Sequence, residues 1–307
     1  MEKKYIFNIS DCEENKRIDL YLYEQNILGS RSSIQNLIKK NQVLVNDKTE
    51  KNSYKVKKED KITVILSEED SLIIKPENIP LDTIYEDNDI LVINKPKNML
   101  THPTSKEITG TLVNALLYKY GYEGLSDING MMRPGIVHRL DRNTSGLLLI
   151  AKNNTSHEFL TKQIKEKTAV RKYLAVVKGN FNEQEGVIDF PIGRSIKNPE
   201  KMDVIEDGKP SITKYRVIET FKGFTYVEFT LLTGRTHQIR VHTSHINHPI
   251  VNDSLYNKEK FKVKTTEQVL QAYKLQFTAL KNDDIINLEI HPDEDIEKVL
   301  RYLRSLI

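Results

Sequence analysis

Gly135-Ile136-Val137-His138-Arg139-Leu140-Asp141-Arg142-Asn143-Thr144-Ser145-Gly146 packs two arginines, a histidine and an aspartate into the five residues from His138 to Arg142. Apolar residues flank that polar centre. Ile136-Val137 reads as the end of a strand, and Leu147-Leu148-Leu149-Ile150 as a buried strand. A loop held between rigid strands is a good platform for a positioned side chain. Thr144 and Ser145 can bond their own backbone, and Gly146 permits close backbone approach. A structural Arg–Asp pair at a turn would use the same residues, and the spacing alone does not choose between the two.

Around this loop the pattern predicts strands at Ile90–Asn94, Gly146–Ala151, Lys172–Val177, Thr213–Glu219, Thr225–Leu232 and His237–Val241. Val227, Phe229 and Leu231 alternate with Tyr226, Glu228 and Thr230, as in a half-buried strand. Helices are expected at Thr111–Lys119 and Ser156–Lys165. Helices are too few for a regular βαβ alternation, so the fold class is α+β, with a mixed, mainly antiparallel sheet and flanking helices.

The chain before this region reads differently. After an N-terminal extension (1–15), residues 16–70 form a small α/β module and 71–81 a proline-containing linker, leaving 82–307 as one larger domain. In the module, Ile18 and Leu22 share a helix face. Ser30 would cap a second helix, Arg31–Lys40, which turns Ile34, Leu37 and Ile38 inward. Val43-Leu44-Val45 and Lys61–Leu66 read as strands, with a turn at Asn46-Asp47. Between Lys16 and Leu66 there are 11 Lys and Arg against 6 Asp and Glu, although the whole chain carries only +3. A solvated surface would show the same excess as a phosphate-contacting one that includes Arg31, Lys39 and Lys40.

A second cluster runs Leu232-Thr233-Gly234-Arg235-Thr236-His237-Gln238-Ile239-Arg240-Val241-His242. As a strand it would point Gln238 and Arg240 one way and His237, Ile239 and Val241 the other. Arg240 would then be free to pair with a distant carboxylate, and an opposite charge nearby favours the ionised form of such a group. His242, His245 and His248 recur every three residues, but there is no His-Glu-x-x-His signature, and loop contacts to backbone or phosphate fit them better than a metal. The single cysteine, Cys12, excludes an internal disulfide and a cysteine-based zinc site. No phosphate-binding glycine loop, Gly-x-Ser-x-Gly elbow, signal peptide or membrane-length apolar run is present. The expectation is a cytoplasmic protein with no cofactor, no metal and no membrane partner.

His138-Arg139-Leu140-Asp141 with Arg142-Asn143-Thr144-Ser145-Gly146 resembles the signature of the RluA/RluD-type pseudouridine synthases. The likeness extends, in order, through Leu91-Val92-Ile93-Asn94-Lys95-Pro96, His102-Pro103, Arg171-Lys172-Tyr173 and Lys201-Met202 to the Gly234–His242 segment and Asp253 with Tyr256. Arg17-Ile18-Asp19, Ser30-Arg31-Ser32 and Val43-Leu44-Val45-Asn46 are similar to the RNA-binding domain named after a small-subunit ribosomal protein. The chain departs from the family pattern at Asn252, Tyr273, Lys274 and Asn143. The resemblance implies the pseudouridine synthase fold and isomerisation of uridine in RNA, most simply 23S rRNA, by a monomer. Transfer RNA is the alternative target, and a non-catalytic RNA-binding assembly factor the alternative class. It further implies Asp141 as catalytic carboxylate, Arg240 as its partner and Tyr173 as a stacking face for the uracil. Arg139 would fill the gap left by the flipped nucleotide, with His138, Arg142, Arg235, His237, Arg31, Lys39 and Lys40 as further RNA contacts.

Overall fold

In a computed structural model, residues 3–10, 13–25, 31–66, 74–104, 106–130 and 132–307 are described. They group into two compact units. One comprises Met1–Pro80, His102–Ile136 and Lys152–Asn154; the other comprises Leu81–Thr101, Val137–Ala151 and Thr155–Ile307.

The first unit opens with β1 (Lys3–Asn8), α1 (Ile18–Glu24), α2 (Arg31–Lys39), β2 (Val43–Val45), β3 (Lys48–Thr49) and β4 (Lys61–Leu66). These strands form a four-stranded sheet in the order β1-β4-β2-β3. Asn46 and Asp47 both adopt positive φ, which closes the tight turn between β2 and β3. Ile18, Leu22, Ile34, Leu37 and Ile38 meet Val43, Val45, Ile62 and Val64 in one core, so both helices face the sheet as their spacing predicts. Ser30, expected to cap α2, lies outside the described residues, as does part of the expected linker. Asp19 is fully buried beneath α2, where it accepts hydrogen bonds from Arg17, Arg31 and Gln35. Later in the unit, α3 (Leu112–Tyr120) starts at a reciprocal cap between Thr111 and Asn114.

The second unit contains β5 (Thr83–Glu86), β6 (Ile90–Lys95), β7 (Ser145–Ala151), α4 (Asn154–Glu166), β8 (Val170–Lys178) and β9 (Glu185–Asp189). A small hairpin of β10 (Ile192–Arg194) and β11 (Met202–Val204) follows. The chain ends with β12 (Ile212–Phe221), β13 (Phe224–Leu231), α5 (Gln238–His245), β14 (Leu270–Thr278), β15 (Ile285–Glu289) and α6 (Glu294–Arg304). Nine strands form one sheet in the order β5-β6-β7-β14-β8-β13-β12-β9, with β15 beside β14. Among the described pairs only β7 and β14 run parallel, so the sheet is mixed and largely antiparallel, as expected. Gly146 has φ +116°, and a Cβ there would collide with the Ala272 backbone. Only glycine lets β7 and β14 approach this closely.

Three expectations fail. Ile136-Val137, read as the end of a strand, belongs to no strand, so the Asp141 loop is flanked by a strand only on its β7 side. β13 is not half-buried: Tyr226 and Glu228 are buried as well as Val227, Phe229 and Leu231. The apolar face of α6, carrying Ile296, Val299, Leu300 and Leu303, covers the side on which Tyr226 lies. The predicted strand His237–Val241 is the start of helix α5. That helix is buried from Gln238 to Thr243, so it has no polar face to produce a helical period, and its alternating Ile and Val imitate a strand.

Candidate active site

The site is built around the backbone of Asp141. On one side, the buried Thr101 hydroxyl donates to the Leu140 carbonyl at 2.8 Å and accepts from the Leu140 N–H at 3.3 Å. On the other side, the Lys95 ammonium donates to the carbonyls of Pro96 (2.7 Å), Met99 (2.9 Å) and Arg142 (3.1 Å). Lys95 is fully buried, and burial pushes its pKa down to about 7 against the pull of Asp141. Both pins come from β6 and the segment leaving it. Asp141 is thereby presented on a fixed loop with its carboxylate partly open.

Helix α5 supplies the facing groups. His237 takes the left-handed conformation at its N-cap (φ +56°). The Gln238 side chain accepts from Thr233 Oγ1 and Arg235 N while donating to Ile212 O, which fastens the preceding loop to β12. Residues three apart share a helix face, so His237 and Arg240 point together. A strand would have separated them. Arg240 Nη1 lies 3.3 Å from Asp141 Oδ2, and His237 Nε2 lies 3.9 Å from the same oxygen. The main partner of Arg240 is Asp253, which accepts from Nε at 2.7 Å and from Nη2 at 2.8 Å. Asp253 is fully buried and also accepts the backbone N–H groups of Leu255 and Tyr256. The Tyr256 ring lies 5.0 Å from the Arg240 guanidinium carbon, and its hydroxyl is 2.9 Å from His237 Nδ1. The same hydroxyl accepts from Met202 N and donates to Met202 O, joining hairpin β10–β11 to the site. Burial lowers the His237 pKa, with Asp141 and Asp253 opposing and Arg240 and Arg139 reinforcing the shift.

Tyr173 sits mid-sheet on β8, 5% exposed, opposite Phe229 and Ala272. Burial raises its pKa; Arg171 opposes that shift and Asp141 adds to it. The hydroxyl therefore keeps its proton near neutral pH. Arg139 is exposed at the head of the loop, and Arg142 is half-buried. Arg235 is exposed, with Nε donating to Pro210 O. His138 turns inward: its Nε2 accepts the Leu149 N–H at 3.0 Å, and burial depresses its pKa to about 3. In the first unit, Arg31 is tied to Asp19, while Lys39 and Lys40 are exposed. The histidine triplet is structural. His242 bonds Thr213 and Phe190, His245 packs on Phe190, and His248 bonds Lys178 O and stacks on Phe181. No group of three metal-ligating side chains occurs among the described residues. No described helix is long and apolar enough to cross a membrane.

Residue pattern alone assigns no role to Lys95, Thr101, Asp253 or Tyr256. Lys95 carries a signal, being a charged residue at the end of the apolar run Ile90–Ile93, whereas Asp253 stands between the polar Asn252 and Ser254 and carries none. Thr101 likewise carries none.

The fold is that of pseudouridine synthases. The chain aligns with the human RNA pseudouridylate synthase domain containing 1 at a TM-score of 0.56 and 24% identity, covering 76% of this chain and 98% of that one. A family model described as RNA pseudouridylate synthase matches residues 89–245, and one for the S4 domain matches 16–62. The chain belongs to the RNA pseudouridine synthase family, and it is an isomerase acting on RNA. An RNA pseudouridine synthase of Bacillus subtilis, named YlyB and described as uncharacterized, is 42% identical over 96% of this chain and 97% of its own. Ribosomal large subunit pseudouridine synthase D of Buchnera aphidicola is 43% identical over 81% of this chain and 78% of its own. The protein of the same name from Borreliella burgdorferi is 38% identical over 88% and 84%.

Proposed function

We propose that this protein converts specific uridines of 23S rRNA to pseudouridine, with Asp141 as the catalytic carboxylate. The observation that carries the catalytic assignment is the Asp141–Arg240–Asp253 arrangement at the mouth of a pinned loop. Relatives named for the large ribosomal subunit support the choice of RNA.

In this reading the target nucleotide is extruded and Arg139 takes its place in the stack, because a base cannot be reached inside a helix. Asp141 either attacks the ribose carbon 1′ or removes a ribose proton to give a glycal. Either route releases the uracil from carbon 1′. The base rotates and rejoins through carbon 5, which gives up its proton while N1 gains one. Isomerisation moves no net electrons and needs no energy source, so the reading requires neither metal nor nucleotide. Arg240 aims Asp141, Tyr173 stacks on the uracil, and His237 lines the cleft. Arg142 and Arg235, with Arg31, Lys39 and Lys40 on the N-terminal module, contact phosphates. His138 leaves that set, because its imidazole holds a strand. Residues 16–70 act as the RNA-binding part and 82–307 as the catalytic part of a cytoplasmic monomer.

Two measurements test this. Asp141→Asn should abolish tritium release from RNA labelled at uridine carbon 5 while leaving the fold intact. Pseudouridine mapping in a deletion strain should show losses in 23S rRNA. Losses confined to tRNA would overturn the choice of RNA.

A further inference from the structure

Arg171 is a buried cation without a counter-charge among the described residues. Its residue exposure is 6%, its Nε is buried without a hydrogen-bond partner, and no described carboxylate pairs with it. Burying an unpaired charge is among the most unfavourable choices a fold can make. The other buried cations of the site are satisfied: Lys95 by three carbonyls and Arg240 by two carboxylates.

The location narrows what Arg171 is for. It projects from β8 two residues before Tyr173, on the same face of the sheet. A Cβ at Gly234 would lie 3.0 Å from Arg171 Nη1, so the guanidinium lies against the loop that leads into His237 and helix α5. Its charge acts on His138, held neutral by burial, and on Tyr173, which also feels Asp141. Neither offers it a negative charge.

We propose that Arg171 is a catalytic residue that binds a carbonyl oxygen of the extruded uracil and stabilises the anion formed when the base leaves the ribose. This rests on the reading of Asp141 as the catalyst. The C1′–N1 bond breaks with its electron pair passing to N1, and from there the charge spreads onto O2 and O4. An N–H fork in a water-poor site, preset where charge develops, stabilises that state more than the neutral nucleoside. When carbon 5 bonds to carbon 1′, the carbon 5 proton departs, N1 is protonated and the charge on the base is discharged.

The test is Arg171→Met, with Arg171→Lys beside it, measured on 23S rRNA transcripts labelled at uridine carbon 5. Arg171→Met should lower kcat by about 10²–10³-fold and change KM little. Its melting temperature should stay level or rise, because removing an unpaired buried charge relieves the fold. Arg171→Lys should recover part of the rate. Transcripts carrying 5-fluorouridine give a better leaving base, so on them the deficit of Arg171→Met, read as altered nucleoside by chromatography after digestion, should shrink. A near-normal rate for Arg171→Met overturns the proposal. So does a deficit that is the same on both transcripts, which would mark a merely structural arginine. If Asp141→Asn still released tritium, the underlying reading of the site would fail instead.

Discussion

Arg240 gives Asp253 two hydrogen bonds, at 2.7 and 2.8 Å, and gives Asp141 one, at 3.3 Å. The guanidinium is thus anchored by a buried carboxylate and aimed at a partly open one. Anchor and target are chemically alike but differ in their surroundings. Asp253 also accepts two backbone N–H groups and sees no solvent. Asp141 keeps part of its carboxylate exposed.

Asp253→Asn should therefore be nearly as damaging to activity as a change at Arg240, although Asp253 is shielded from substrate. Breaking one partner out of a buried pair typically costs about 3–5 kcal/mol. Denaturant unfolding should show that loss for Asp253→Asn and much less for Asp141→Asn, while both lose tritium release. Full activity in Asp253→Asn would refute the anchoring role.

Lys95→Met removes one of the two pins on the catalytic loop. Three carbonyls lose a charged donor, which should lower stability by roughly 2 kcal/mol, moderated by the relief of a buried charge. The loop after Asp141 is then held from the Thr101 side alone. A displacement near 1 Å can cost about 10²-fold in rate. Single-turnover kinetics at saturating RNA should show that drop in kcat, with a smaller loss of RNA affinity because Arg139 and Arg142 ride on the same loop; an unchanged kcat would refute the pinning role.

Much of this is readable in the residues themselves, and what escapes has physical reasons. Strands β6, β7 and β8 announce themselves through unbroken apolar runs, and Gly146 through its place at the head of β7. Asp141 stands out because it lies in a dense polar centre flanked by apolar residues. Helix α5 does not, because burial on every side erases the amphipathic period on which a helix is recognised. The Asp253 anchor is 13 residues from Arg240 in a loop without period. Thr101 acts through a hydroxyl on backbone atoms 39 residues away, a kind of interaction that sequence pattern does not encode. The surplus charge of Arg171 is a property of its three-dimensional surroundings and has no signature along the chain.

His138 sets an acid limit on stability. Its folded pKa is near 3, while an unfolded histidine titrates near 6.5. Between those values unfolding takes up a proton, so unfolding free energy falls as pH drops from about 6.5, by up to about 1.4 kcal/mol per unit. Above that window His138 contributes no pH dependence. His138→Gln keeps an acceptor for the Leu149 N–H but cannot titrate, so its stability should fall less between pH 6.5 and 5. Parallel stability curves for the two proteins would contradict the buried, neutral imidazole.

Lys39 and Lys40 are exposed at the end of α2, where Arg31 is already committed to Asp19. If they bind phosphates, their removal must appear in the salt dependence of RNA binding and hardly at all in the chemistry. Each lysine–phosphate pair removed lowers the slope of log affinity against log salt by about 0.7–0.9. The double variant Lys39→Gln with Lys40→Gln should thus flatten the slope by up to about 1.8 and leave single-turnover kcat at saturating RNA unchanged. The stability of the module should hold, because neither side chain belongs to the core formed by Ile34, Leu37 and Ile38. An unchanged slope would assign the basic excess of this module to solvation alone. A fall in kcat at saturation would show that the module takes part in placing the uridine as well as in holding the RNA.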